Sequence, residues 1–176
     1  METTQIQVER FDALANESIK YVFDFMVNEK ATFARGAHIV GTEKPKGDLF
    51  PRIKEMGEGY YTISVGFVGD CDGRVHLQLS KALAEKFALK LLDVPSLDWI
   101  GGDPNESLSD VMGELGNSLV GLIKGGMTRY FPKLMLTTPK VLANRRIKMD
   151  DSKLIFRKQY AFAVMGSAVL LDFCCE

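Results

Sequence analysis

One acid and one amide stand three residues apart in a stretch that otherwise offers little chemistry. The segment SDVMGELGNSLVG, residues 109–121, holds Glu114 and Asn117, with Asp110 one turn earlier and Gly113, Gly116 and Gly121 around them. A carboxylate can pair with a cation. A carboxamide has both an acceptor oxygen and donor hydrogens, so it can orient a water molecule while remaining uncharged. On a helix, residues three apart leave the same patch of surface. The E-x-x-N pattern alone is weak, and on most exposed helices it marks only solvated surface.

The apolar spacing predicts that this segment is helical. At a helical advance of about 100° per residue, Leu108, Val111, Met112, Leu115, Leu119 and Leu122 fall in one stripe, which faces the core. Asp110, Glu114, Asn117, Gly121 and Lys124 fall on the opposite side. A glycine costs a helix interior about 1 kcal/mol relative to alanine, so three cost on the order of 3 kcal/mol. Gly116 borders the apolar stripe, where close packing explains it. Gly113 and Gly121 face outward, and there a missing side chain lets another molecule come close. The residues themselves imply a docking surface bearing an acid and an amide. They specify no reaction.

The surrounding elements follow from periodicity and punctuation. Phe11, Leu14, Ala15, Ile19, Val22, Phe23 and Met26 predict a long first helix within 10–33, followed by a short strand at 37–41 and a loop at 42–59. Residues 60–80 alternate as a hairpin about the turn GDCDG. A helix at 81–93 takes Ser80 as its cap. A connector, 94–102, leads to Asp103 as N-cap, Pro104 at the first helical position and Glu106 placed for a capping box. The glycine-bearing helix then runs to Lys124 and ends at Gly125-Gly126. Strands follow at 134–138, near 154–164 and at 168–174, with a turn at 165–167. The order suggests a weak α-β-β-β repeat. The fold class is α+β, with long helices packed on a largely antiparallel sheet in a single domain, 1–176.

Composition narrows the function classes. The net charge of −1 gives no general attraction to nucleic acid or acidic membranes. The basic run KVLANRRIK, 140–148, reads as a solvated loop or strand face. Cys71, Cys174 and Cys175 are odd in number, with no metal-ligand spacing, and are expected to be reduced thiols rather than a disulfide framework or a zinc site. The only histidines are His38 and His76; alternation points His76 away from the apolar face of its strand, where it is expected to be solvated. The N-terminus lacks the pattern of a signal peptide, and no apolar run approaches the ~20 residues of a membrane span. A soluble, cytoplasmic protein without membrane association is expected.

The sequence resembles the CheC/CheX family of chemotaxis phosphatases, and its CheX branch in particular. SDVMGELGNSLVGLIKGGM (109–127) carries the resemblance, with Asp110, Glu114 and Asn117 at the family's acid, Glu and Asn positions. It continues in LMLTTPKVL (134–142), where Pro139 matches the family's downstream proline, and in the strand–strand–helix unit from residue 66. The family's two-site members carry a second Glu/Asn pair on the first helix. Here that helix has Asn16 and Glu17 side by side, so one site per chain is expected.

The resemblance implies hydrolysis of the aspartyl phosphate on a response-regulator receiver domain such as CheY. Such a reaction needs mainly one water held in line with phosphorus. By resemblance, Asn117 orients that water and Glu114 pairs with the receiver's lysine. Asp110 assists docking, and Gly113 and Gly121 leave room for the receiver's loops. The chain then needs no metal or other cofactor of its own, because Mg2+ belongs to the receiver. Homodimers are expected, again by resemblance.

Two other classes compete. A non-catalytic receiver-binding module, as in the flagellar switch, would need the docking surface but not the amide. A redox or metal protein would use the three cysteines and the histidines.

Overall fold

The computed structural model describes residues 2–39, 59–99, 103–145, 154 and 156–175. The loop expected at 42–59 lies outside these except for Gly59, as does the end of the basic run, 146–148. The elements are α1 (Glu2–Val27), β1 (Ala31–Ile39), β2 (Tyr60–Val68), β3 (Gly73–Ser80), α2 (Lys81–Leu92), α3 (Pro104–Met127), β4 (Met135–Leu136), β5 (Lys140–Ala143), β6 (Phe156–Val164) and β7 (Ser167–Cys175). The first helix ends earlier than its sequence pattern suggests. Asn28 adopts φ 53°, a left-handed conformation that asparagine tolerates, and the chain enters β1 three residues later. Residues 31–33, expected in the helix, therefore begin a strand.

One antiparallel sheet runs β1-β6-β7-β3-β2-β4, with β5 also paired to β2. This order makes the α-β-β-β repeat concrete. Each half sends its first strand across to the other: β1 pairs with β6, while β4 and β5 pair with β2. The last strands of the halves, β3 and β7, meet at the centre. The β2–β3 hairpin forms where expected, its turn closed by the Asp72 carboxylate accepting from the Gly69 N–H at 3.0 Å. The β6–β7 turn places Met165 and Gly166 at φ 50° and 74°, the positive pair that a two-residue hairpin requires.

The three helices cover one face of the sheet. Ile63, Val65, Phe67, Val75, Leu77, Leu79, Val169, Leu171 and Phe173 project there and join Ile19, Phe23, Phe87 and Leu115 in one core. The ring of Phe11 on α1 meets Phe156 and Phe173 at centroid distances of 5.5 and 4.7 Å.

The other sheet face corrects an expectation. His76 does point away from the helices, but it is only 3% exposed, and Thr62, Gln78, Gln159 and Asp172 are buried with it. Burial pushes the imidazole down to about 4, against the opposing pull of Asp172. Alternation separates the two faces of a strand without saying which of them meets water, and the central strands are buried on both. Several polar groups on this face are hydrogen-bonded to one another. Gln78 donates to the Thr62 hydroxyl at 3.0 Å, and Arg157 clasps Asp172 through Nε and Nη2 at 3.0 and 2.7 Å.

The cysteines also differ from expectation. Cys71, in the β2–β3 turn, is joined to Cys175 at the end of β7, closing a separation of 104 residues. Cys174 remains a buried thiol. Pairing of β3 with β7 brings these ends together, a long-range event that cysteine spacing does not encode.

Candidate functional site

The helix α3 is positioned from both ends and along its inner face. At its start, Asp103 has extended backbone (φ −80°, ψ 117°), its side chain accepts from the Asn105 N–H at 2.9 Å, and Pro104 follows. These are the expected cap and first position. Asp103 at the cap and Glu106 in the first turn place carboxylates at the positive end of the helix dipole. The far end departs from expectation. The helix continues through Gly125 and Gly126 to Met127, which is buried. Thr128 closes it, its N–H donating to the Lys124 carbonyl at 3.0 Å and its hydroxyl to the Gly125 carbonyl at 2.7 Å.

The inner face rotates along the helix. Leu108, Met112, Gly116 and Val120 form one buried row, and Leu115, Leu119, Ile123 and Met127 another. Each step of four residues advances about 40° around the axis, so the buried stripe turns as α3 leaves β2 and passes under α1. Gly116 rests on Ile63 of β2, and Gly126 abuts Leu14 of α1. Leu122, placed in the core stripe by a fixed projection, consequently emerges 36% exposed beside Gly121. No local signal marks this, because the rotation depends on which neighbour α3 meets.

The outer face carries the expected residues. Asp110 and Glu114 are exposed and Asn117 is half-buried. The three glycines divide as their positions imply. A Cβ on Gly116 would run into Ile63, whereas a Cβ on Gly113 or Gly121 would meet nothing within 4 Å. The acid and the amide therefore share a helix face with open space on both sides. On α1, Asn16 is turned to its own helix and donates to the Asp12 carbonyl at 3.1 Å, and its neighbour Glu17 is exposed.

The chemistry available on this face is that of an anion and a neutral amide presented to a second molecule. Neither His76 nor Cys174 belongs to it, since both lie on the buried far face of the sheet. Among the described residues there is no group of three histidine, cysteine or acidic side chains suited to a metal ion, and no helix is long and apolar enough to cross a membrane. Such a surface can hold a water or bind a cation on a partner.

A family model described as chemotaxis phosphatase CheX matches residues 61–160, which run from the hairpin through α2, all of α3, β4 and β5 to the first part of β6. No curated protein matches the chain in sequence. Several solved structures share the fold. A CheC-like superfamily protein from Shewanella sp. PV-4 is 18% identical with a TM-score of 0.69, over 95% of this chain and 97% of that one. The CheX–CheY–BeF3–Mg2+ complex from Borrelia burgdorferi is 17% identical with a TM-score of 0.68, over 96% and 97%. FliY of Thermotoga maritima is 12% identical with a TM-score of 0.60, over 90% and 83%.

Proposed function

The chain belongs to the CheX family of chemotaxis phosphatases, and from that premise we propose that it hydrolyses the aspartyl phosphate of a CheY-like receiver domain. The observation that carries this reading is the open space at Gly113 and Gly121, on either side of Glu114 and Asn117. Of the three glycines around Glu114 and Asn117, only Gly116 packs against the interior. The other two serve an approach from outside. The Borrelia neighbour is a CheX in complex with CheY, which supplies the kind of partner.

In this reading α3 docks on the receiver, whose Mg2+ already holds the acyl phosphate. Glu114 pairs with the receiver's active-site lysine, and Asp110 assists at the edge of the contact. The Asn117 amide enters the receiver's site and orients one water in line with phosphorus. Water attacks, the phosphorus–oxygen bond to the aspartate breaks, and the carboxylate leaves with the electron pair while phosphate departs. The chain contributes positioning, the larger part of catalysis for a group this reactive. It works in the cytoplasm, where receivers reside, and as a homodimer.

The test is decay of receiver phosphate with and without the purified protein. Faster decay, lost in Asn117→Ala, is expected. Tight binding to the phosphorylated receiver with an unchanged decay rate would replace the phosphatase by a receiver-binding module.

A further inference from the structure

The joined cysteines sit where a reversible covalent clamp would be useful and reachable. Cys71 lies in the β2–β3 turn and Cys175 ends β7; both pack at the core edge and are partly accessible. Their Cα atoms stand 6.9 Å apart, at the edge of the span a disulfide bridges. Cys174, although adjacent to Cys175, cannot substitute for it. Successive residues of a strand point to opposite faces. Cys174 is 0% exposed on the far face, its sulfur 3.5 Å from Asp172 Oδ1, while Cys175 shares the near face with Phe173 and packs at the core edge. The strand thus selects one of two neighbouring thiols.

Both ends of the clamp are also held without it. Gly73 pairs with Cys175 in the β3–β7 ladder, two residues from Cys71. The turn is closed by the Asp72–Gly69 bond, and Asp70 accepts from the Lys133 N–H at 2.9 Å, tying the turn to the chain leaving α3. Reduction therefore leaves the two sulfurs side by side rather than releasing the strand, so the dithiol is poised to close again.

We propose that Cys71 and Cys175 form a redox-modification site that exchanges with small-molecule disulfides of the glutathione class. One cysteine, as thiolate, attacks the small disulfide, giving a mixed disulfide and one released small thiolate. The second cysteine's thiolate then displaces the other small thiolate. Two protein thiols are oxidised to one disulfide, one small disulfide is reduced to two thiols, and the two protein protons end on the released thiols.

The test is peptide mapping of the purified protein after equilibration with glutathione disulfide or with dithiothreitol, with alkylation before and after unfolding. The oxidised sample should yield one crosslinked peptide pair containing Cys71 and Cys175, with Cys174 alkylated only after unfolding. Alkylation of native Cys71 should fall by at least about tenfold relative to the reduced sample. Cys174→Ser should leave this unchanged, and Cys71→Ser should abolish the crosslink, leaving Cys175 open to alkylation in the reduced sample and held as a glutathione mixed disulfide in the oxidised one. Equal alkylation of wild-type Cys71 in the two buffers would overturn the proposal, as would a Cys71–Cys174 crosslink or a Cys71-linked dimer. These outcomes are read on the wild-type protein, so they stand even if a variant fails to fold.

Discussion

Gly116 of α3 lies directly on Ile63 of β2, with no room between them for a methyl group. A Cβ on the glycine would fall inside the van der Waals surface of Ile63 Cγ2 and 3.5 Å from Val65 Cγ2. This contact sets the height of α3 above the sheet. The turn that holds Gly116 also holds Glu114 and Asn117, so the packing of the inner face and the presentation of the outer face are one constraint.

Gly116→Ala is expected to destabilise the protein. Overpacking a filled core costs about 1–3 kcal/mol, of which alanine's helix propensity returns about 1. Ile63 is 1% exposed and β-branched, so it has little freedom to yield. Urea unfolding midpoints of the variant and the parent measure the difference.

Gly113→Ala and Gly121→Ala should behave in the opposite way. With nothing within 4 Å of the added methyl, each gains up to about 1 kcal/mol of helix stability. Bulkier Gly113→Leu and Gly121→Leu should also fold, yet obstruct a docking partner and raise KM for the phosphorylated receiver at least about tenfold. Stability and KM measured on the same preparations separate the two effects.

Asn117→Ala and Glu114→Ala should divide the kinetics. Loss of the water-orienting amide lowers kcat by about 100-fold or more. Loss of the docking carboxylate acts mainly on KM. Neither change should shift the unfolding midpoint much, since Glu114 is exposed and Asn117 only half-buried. Receiver dephosphorylation over a concentration series reports both parameters.

His76 predicts a pH dependence. Burial keeps the folded imidazole neutral down to about pH 4, whereas the unfolded chain takes up the proton near 6.5. Between these values the unfolded state binds more protons, so stability is full above about 6.5 and falls as pH drops, by about 3 kcal/mol in total. His76→Gln should flatten the profile across that window in denaturant titrations at successive pH values.

The Arg157–Asp172 pair should be costly to break on one side. Asp172 is 2% exposed, and Arg157→Met removes its bidentate partner, at a cost of about 3–5 kcal/mol. Thermal unfolding is the check, and the double change Arg157→Met, Asp172→Leu should recover part of the loss.

Much of the fold was legible from short stretches of sequence. The period of residues 60–80, the caps Ser80 and Asp103 and the apolar stripe of α3 each depend on neighbours within a few residues, and each forms as expected, save that Leu122 leaves the stripe. So does the division of the glycines, because the side of a helix on which a residue lies follows from its number. The limits of α1 and α3 were less legible. Asn28 stops one helix early through a left-handed conformation, and Thr128 ends the other late in a right-handed one open to many residues.

By itself the sequence determined that α3 exists, which way Glu114 and Asn117 face, and that Gly113 and Gly121 clear space beside them. Tertiary structure alone decided that Leu122 emerges, that His76 is buried and that Cys71 meets Cys175. The physical reason is range. Helical and strand periods arise from backbone geometry over a few residues. Burial and bonding arise from which surfaces meet, and here that follows from strands exchanged between the two halves and from the pairing of β3 with β7 across the length of the chain.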